Sequence, residues 1–460
     1  MKLHASKLPF DTRAERGAVL IIVLWIAIGL VSIALYFANS MTYELRASDN
    51  RTSGMASEQA IEGAARYISY VLSTYSTNGW VPQNTQFSAA AVPVGDAHFW
   101  LIGRDPSATT ESGTSSSDPY FGLVDEGSKL NLNTAGTNTL LELPNMTEQL
   151  ADAIVDWRST NGLDNLSVNY TALGYEDKNE PFETVDELRL VYGMTEPLLA
   201  GNDINGNGVL DANEQTVGSG SELEPGLFEY CTVYTREPNF HSDGSSLTNV
   251  STANSESLQT LFQDDGVGNA STLARELSTT RPGGGYTGIL QFCFYCKRYG
   301  MSSSDFAKIY PDITTSSASY IRGRVNIDTA DEVVLTALFM GLDVDQSTAE
   351  SAAQTMISYR QQNQENLNSV AWIIDALGNT SPVITALDQG DYVTARSFQF
   401  TADIAAVGPY GRGYRRVKFV FDTSDGYPKI IYRQDLTRLG WALGDKVREQ
   451  YVANAGSQNL

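Results

Sequence analysis

The segment DINGNGVLDANE, which begins at residue 203, carries oxygen-bearing side chains at regular intervals. Gly208, the sixth residue, allows a sharp turn, and Val209, the seventh, could donate its backbone carbonyl. Because Ca²⁺ takes six to eight oxygen ligands, the pattern predicts a single structural Ca²⁺ site, the alternative being a polar Gly-Asn loop that holds no ion. In a twelve-residue calcium loop, the side-chain donors would be Asp203, Asn205, Asn207, Asp211 and Glu214.

The three cysteines and three histidines limit the other chemistry that the chain could perform. Cys293 and Cys296 form a C-x-x-C pair, which we predict to be a structural disulfide that leaves Cys231 as a free thiol. A redox pair and half of a metal site are the alternatives. The histidines, at positions 4, 98 and 241, lie too far apart in sequence to indicate a zinc site or a hydrolase. We therefore predict no catalytic residues and no enzymatic activity.

Residues 18–38 contain no charge, and as a helix they would extend about 32 Å, which matches the hydrocarbon core of a bilayer. A cleaved secretory signal has a shorter apolar region, so a membrane-spanning helix is expected. Four basic residues precede the span and two follow closely, which predicts a cytoplasmic N-terminus and a body on the other side. Apolar residues continue at helical spacing to residue 72, so one helix over residues 18–78 is expected. A plain signal anchor followed by a stalk is the alternative.

The leader and the apolar run together resemble the class III signal of prepilins. A charged leader ends in Arg16 and Gly17, Ala18 follows, and the apolar helix is uninterrupted. The resemblance implies that a prepilin peptidase cuts between Gly17 and Ala18 and that the new N-terminus is methylated. Most pilins carry a glutamate at the fifth mature position, where this chain has Ile22. That departure is typical of the K-type minor pseudopilins of type II secretion systems, the general secretion pathway protein K family.

Five segments rich in aromatic and β-branched residues predict strands. They are HFWLIG from residue 98, YFGLV from 120, SFQFTADIAAVG from 397, RRVKFVF from 415 and PKIIYRQ from 428. We expect an α+β fold in which these strands form one antiparallel, pilin-like sheet packed on the N-terminal helix, with a large helical domain inserted. The predicted boundaries are 1–17 for the leader, 18–78 for the helix, 79–133 for the first part of the sheet domain, 134–322 and 323–392 for the inserted domain, and 393–460 for the strands that complete the sheet.

Two segments of the inserted domain resemble each other: KLNLNTAGTNTLLEL from residue 129 and RVNIDTADEVVLTAL from residue 324. Each is followed by a second helix, which predicts two units of helix-hairpin-helix shape. The predicted N-caps of their first helices are Asn133 or Thr134 and Asp328 or Thr329. The turns at 144–146 and 342–345 lack glycine, and the second carries acid where a phosphate would bind. With the net charge of −23, this predicts protein packing and no nucleic-acid binding.

Several blocks extend the resemblance to K-type pseudopilins over most of the chain. They are LVDEGSKLNLNTA followed by AIVDWR, then NEPFETVDELRLVYGMT, FEYCTVYTREPN and RVNIDTA. The resemblance implies a subunit at the tip of a pseudopilus that helps to initiate assembly for export of folded proteins across the outer membrane. It also implies a single-pass inner-membrane anchor with a periplasmic body, Ca²⁺ in the helical domain, and three partners: other minor pseudopilins, the inner-membrane secretion platform and the prepilin peptidase.

Residues 241–322, which contain the CFYC pair, look like an insertion relative to that family and are rich in Ser, Thr, Asn and Gly. Two other functions stay open at this stage. One is a minor pilin of a type IV or competence pilus whose helical domain binds DNA or a surface ligand. The other is a membrane-anchored enzyme that uses Cys293 and Cys296.

Overall fold

The computed structural model describes residues 12–106, 118–159, 170–212, 214 and 222–457. Its first element is one continuous helix, α1, from Thr12 to Tyr75. The side chains of residues 19–52 are nearly all exposed, whereas from residue 53 onward one face is buried. This contrast follows the sequence, because residues 18–38 are apolar all round, residues 39–52 are mostly polar or charged, and the part after residue 53 has a single apolar stripe. The first half is long and apolar enough to cross a membrane, with a mean hydropathy of 2.8 over its most apolar window.

The second half of α1 packs on an antiparallel sheet that has six strands within the described residues. In spatial order the strands are Val92–Val94 (β1), Ala97–Ile102 (β2), Gln399–Val407 (β12), Arg415–Asp422 (β13) and Lys429–Asp435 (β14). The short strand Val124–Asp125 (β3) pairs with β12 beside β2. The α+β prediction is therefore confirmed, and four of the five predicted strands match β2, β12, β13 and β14. The segment from residue 120 forms a strand only at Val124 and Asp125. The strands are β1 Val92–Val94, β2 Ala97–Ile102, β3 Val124–Asp125, β4 Leu130–Asn131, β5 Cys231–Thr232, β6 Arg236–Pro238, β7 Thr248–Asn249, β8 Ile313–Thr314, β9 Tyr320–Arg322, β10 Val325–Asn326, β11 Val393–Thr394, β12 Gln399–Val407, β13 Arg415–Asp422 and β14 Lys429–Asp435.

Strand β12 lies at the centre of the sheet, and all nine of its residues are buried. Successive side chains of a strand point to opposite faces. Phe400, Ala402 and Ile404 join the core beneath α1. On the other face, Ala405 packs on the C-terminal segment through Leu443, and Asp403 faces the inserted domain. The sheet is therefore a middle layer, covered on both faces.

The inserted domain is mostly helical and has its own large hydrophobic core. That core includes side chains from residues 241–322, a segment that forms four helices. This segment is therefore an integral part of the domain. The helices of the body are α2 Thr137–Leu141, α3 Glu148–Arg158, α4 Tyr170–Leu173, α5 Glu196–Ala200, α6 Leu227–Tyr230, α7 Ser255–Asp264, α8 Ala270–Thr279, α9 Ile289–Arg298, α10 Ser303–Ile309, α11 Glu332–Met340, α12 Gln346–Gln362, α13 Ala371–Leu377, α14 Pro382–Leu387 and α15 Gly444–Ser457.

The predicted N-caps of the two helix pairs, α2 with α3 and α11 with α12, are wrong. Helix α2 begins after Gly136, and α11 begins after Asp331, whose carboxylate accepts a hydrogen bond from the Val334 amide at 2.7 Å. Asp328 instead accepts a hydrogen bond from the Trp372 indole at 2.8 Å. In the Asn-x-Asn/Asp segments, the first asparagine accepts the amide two residues on, which is an Asx turn that precedes the helix. The sequence pattern thus marks the turn and not the helix start.

Candidate calcium loop and the other predicted sites

The calcium-loop segment leaves α5 at Gly201 and returns to the domain at Pro225. These two residues form a β-bridge, and the side chain of Asn202 completes the stem. Asn202 donates to the Glu222 carbonyl at 2.9 Å and accepts from the Glu224 amide at 2.7 Å. Gly201 has φ 67°, and a Cβ there would lie 2.0 Å from the Glu224 oxygen, so only glycine fits. The stem therefore holds both ends of the loop in place.

Within the loop, the carboxylates of Asp203 and Glu214, the first and last positions, accept hydrogen bonds from backbone amides of the residues between them. Asp203 accepts the amides of Asn207 at 3.0 Å and Gly208 at 2.8 Å. Glu214 accepts the amides of Asn205 at 3.0 Å and Asp211 at 3.1 Å. Gly208 has φ 79°, which provides the sharp turn expected at the sixth position. The structure thus brings the predicted donor residues into one compact loop.

One side-chain oxygen of the loop has no hydrogen-bond donor among the described residues. Asn205 is only 4% exposed, and its Oδ1 atom is buried without a partner in that part of the chain. A buried carbonyl oxygen left unpaired costs about 1–3 kcal/mol, which a cation at the centre would offset. The side-chain amides of Asn205 and Asn207 both donate to Asp211 Oδ2, at 2.5 and 3.1 Å. The donor chemistry therefore fits Ca²⁺, a hard cation that takes carboxylate, amide and backbone oxygens together.

The carboxylates themselves are not gathered into one cluster. Among the described residues there is no group of three or more His, Cys, Asp or Glu side chains placed to hold a metal ion. Burial raises the pKa of Asp203, against the effect of Arg104, and burial also raises the pKa of Glu214. Both shifts have the same cause, because burial disfavours the charged form of a carboxyl group.

Two arginines that the sequence did not indicate attach this loop to the sheet. Arg416 of β13 is 1% exposed and makes a bidentate ion pair with Asp403 of β12, at 2.9 and 2.6 Å. The same guanidinium donates to the backbone carbonyls of Asn205 and Gly206. Arg104, which follows β2, also donates to the Gly206 carbonyl at 3.2 Å and pairs with Glu229 at 2.6 Å. The loop is therefore a junction between the inserted domain and the sheet.

The predicted disulfide between Cys293 and Cys296 is not formed. Both cysteines lie in α9, both are fully buried, and all three cysteines of the chain are free. Residues three apart on a helix have Cβ atoms about 5–6 Å apart, beyond the roughly 3.5–4.5 Å of a disulfide. Burial raises the pKa of both thiols, and that of Cys231 to about 12. Thiols that cannot ionise are poor nucleophiles, which disfavours the redox alternative.

The predicted processing and assembly residues lie on α1. Gly17 and Ala18 belong to this helix, but their surroundings are outside the described part of the chain, as are residues 1–11. Ile22 is 57% exposed in the apolar half. Cleavage at Gly17 and the role of Ile22 in assembly stay predictions.

No protein-family model and no curated protein matches the chain. Among solved structures, it is similar to a chain in the crystal structure of the GspK-GspI-GspJ complex from the type 2 secretion system of enterotoxigenic Escherichia coli. The TM-score is 0.37 and the sequence identity 11%, over 85% of this chain and 99% of that chain.

Proposed function

We propose that the chain is a K-type minor pseudopilin of a type II secretion system. The observation that supports it best is the two-part character of α1. The first part of this 64-residue helix is exposed and contains the charge-free run 18–38, and from residue 53 onward one face packs on an antiparallel sheet. An apolar helix surface of this length is stable only in lipid or against other helices. A membrane anchor that later packs inside a fibre has lipid around this surface first and other helices around it afterwards.

The leader adds the second part of the proposal. Cleavage after Gly17 would leave Ala18 as the mature N-terminus and Ile22 as the fifth mature residue. A buried glutamate at that position would need a cationic partner, because an isolated charge in lipid is costly. Ile22 is uncharged and needs no cationic partner. In this proposal the subunit therefore needs no neighbour above it, occupies the tip and initiates the pseudopilus, while its large inserted domain blocks further addition.

Ca²⁺ is the structural cofactor of the proposal. It would be held by the side chains of Asp203, Asn205, Asn207, Asp211 and Glu214 and by the Val209 carbonyl. When bound, it supplies positive charge among buried carboxylates. The chain's own Arg416 and Arg104 then hold the closed loop on the sheet, which fixes the inserted domain relative to the helix that anchors it.

The proposed processing is tested by mass spectrometry of the full chain expressed with its prepilin peptidase. We expect Ala18, methylated, as the first residue, and an intact Met1 would contradict the proposal at its foundation. For assembly, Ile22→Glu should impair pseudopilus initiation and secretion, whereas the matched variant Ile22→Leu should leave both unchanged. Secretion that is unaffected by Ile22→Glu would contradict the tip position.

A DNA-binding minor pilin is the second candidate, and the turn at Asp343 and Asp345 argues against it. The Asp345 carboxylate accepts the Thr348 amide at 3.1 Å, so it occupies the helix N-terminus that a phosphate would need. Binding of labelled duplex DNA to the full chain in detergent at physiological salt separates the two functions. The proposed function predicts none.

A further inference from the structure

The turn between β12 and β13 lies directly against α1, near the end of its exposed half. A Cβ on Gly408 would lie 2.5 Å from the Ser53 oxygen, and one on Gly413 would lie 2.4 Å from the Ser53 carbonyl carbon. Arg412 extends further toward the membrane-spanning half, with its guanidinium 3.6 Å from the Asp49 carboxylate. The glycines let the turn pack closely against the helix, so its position along α1 is fixed.

The tip of this turn presents an aromatic side chain outward. Tyr410 has φ 60° and ψ 24°, in the left-handed region that bulky residues rarely adopt, and it is 63% exposed. A glycine would adopt this backbone without strain, so the position keeps a tyrosine at a conformational cost. Tyrosine is enriched where membranes meet water, because its ring is apolar and its hydroxyl is polar.

The charge around the turn is opposite in sign to that of the whole chain. Residues 44–51 of α1 and residues 408–415 together carry four arginines and two acidic residues, whereas the chain has a net charge of −23. The arginines at 46, 51 and 415 are exposed, and about half of the Arg412 side chain is exposed. A basic patch on an acidic protein is complementary to an anionic lipid surface.

The distances along α1 place this patch within reach of the lipid headgroups. The charge-free span ends at residue 38, and Asp49 lies about 16 Å further along the axis. The headgroup layer covers about 5–7 Å of that separation. Helix tilt toward the side that bears the turn shortens the remainder, and the long side chain of Arg412 extends into it.

We propose that the β12–β13 turn is a lipid-contact site that holds the body against an anionic membrane surface. Tyr410 lies in the headgroup layer, and Arg412 and Arg415 face lipid phosphates. The inference rests on the proposed function only in that α1 must be in a membrane. It adds that the body has a defined orientation at that membrane before assembly.

The test uses the full chain in nanodiscs that contain phosphatidylcholine, phosphatidylglycerol and a headgroup-nitroxide phosphatidylcholine. A fluorophore is attached to Tyr410→Cys, since the three native cysteines are buried. The matched control is Tyr427→Cys, a tyrosine that is 57% exposed in the β13–β14 turn at the opposite end of the sheet. We expect several-fold stronger nitroxide quenching at 410 than at 427. The quenching should fall to the control level in Arg412→Glu/Arg415→Glu and weaken without phosphatidylglycerol.

Insertion of α1 is read separately from Trp25, whose emission should be quenched by lipids brominated on their acyl chains, with Trp25→Phe as the reference. Quenching at Trp25 with equal quenching at 410 and 427 would overturn the lipid-contact site and leave the membrane anchor intact. Absence of quenching at Trp25 would overturn both. Quenching at 410 that does not respond to phosphatidylglycerol or to the charge reversal would overturn the assignment to anionic lipid.

Discussion

Asn205 is the residue of the predicted calcium loop whose side chain is least satisfied. Its Oδ1 is buried without a donor among the described residues, while its amide donates to Asp211. The carboxylates of Asp203 and Glu214 are occupied by backbone amides, which shape the loop but do not neutralise it. The chain's own hydrogen bonds therefore shape the loop, and the proposed Ca²⁺ would balance its charge.

Glu214→Gln provides the test at this scale. Ca²⁺ should raise the thermal unfolding temperature of the full chain, since an ion at 100 times its Kd stabilises the folded state by about 2.7 kcal/mol. Glutamine keeps an acceptor for the Asn205 amide but loses the charge, so the Ca²⁺-dependent shift should be largely abolished. The exposed Asp264→Asn on α7 is the matched control and should keep the full shift. An unchanged unfolding temperature of the wild type with Ca²⁺ would remove the site from consideration.

The turn at Gly208 and the closing of the loop by Asp203 and Glu214 could be predicted from the sequence, because these features are local. Binding of Ca²⁺ by the predicted donor residues stays a prediction. Arg416 and Arg104 could not be predicted, since each lies more than 90 residues away from the loop and is brought there by the sheet. The predicted disulfide between Cys293 and Cys296 was wrong because the motif alone does not specify the structure around the two residues. C-x-x-C is typical of disulfides in turns, but in this chain the residues around it are strongly apolar and form a helix.

At the scale of elements, the two helix pairs of the inserted domain use similar caps in different surroundings. Asp331 caps α11 from a partly buried position. Burial raises its pKa to about 6, because this effect is larger than the opposing effect of the positive charges of Arg360 and Lys129. Asp345 caps α12 at the surface, where hydrogen bonds from Thr348 and Ser347 lower its pKa. The pH dependence of the two caps should therefore have opposite signs.

Asp331→Asn is predicted to stabilise the protein at pH 7. The carboxyl group binds its proton more tightly in the folded state than in the unfolded state, so its charged form is destabilising above pH 6. Asparagine caps helices as well as aspartate does and cannot ionise. Because the side chain is only partly buried, we expect a gain of about 1 kcal/mol at pH 7 that disappears between pH 6 and pH 4. Urea unfolding of both proteins across this range measures it.

Asp345→Asn is the matched comparison for that prediction. Its folded pKa is lowered, so the charged cap stabilises the protein near neutral pH and this contribution is lost as the pH falls. The variant should therefore be less stable than the wild type at pH 7. If both asparagine variants shift stability in the same direction, the burial argument for Asp331 is wrong.

At the scale of the whole molecule, two large cores are joined by several polar contacts, among them the buried ion pair of Arg416 and the hydrogen bonds of Glu126 with Thr232 and Thr401. One core lies between α1 and the sheet, and the other fills the inserted domain. Arg416 bridges them through Asp403 on one side and the Asn205 and Gly206 carbonyls on the other. The packing of α1 on the sheet could be predicted from the strand and helix patterns, because hydrophobic periodicity is local. The junction could not, because it depends on which charges meet after folding.

Arg416→Met should weaken this junction. Removing one partner of a buried ion pair leaves the other charge uncompensated, which costs about 3–5 kcal/mol. We expect calorimetry to show two separate unfolding transitions in place of one, while Arg433→Met, an exposed arginine on β14, leaves the profile unchanged. Adding Asp403→Leu to Arg416→Met should restore part of the stability but not the single transition. A single transition in Arg416→Met would show that the cores are coupled by other contacts.

Helix α1 has a mechanical consequence. It runs for 64 residues without a proline or a break, which corresponds to about 96 Å of continuous hydrogen-bonded backbone. Gly408 and Gly413 clamp the body onto it at Ser53, close to where its exposed half ends. A force applied to the body is therefore transmitted along a stiff rod with no hinge to absorb it. Any machine that lifts or rotates the body must move the apolar half by the same displacement and through the same angle.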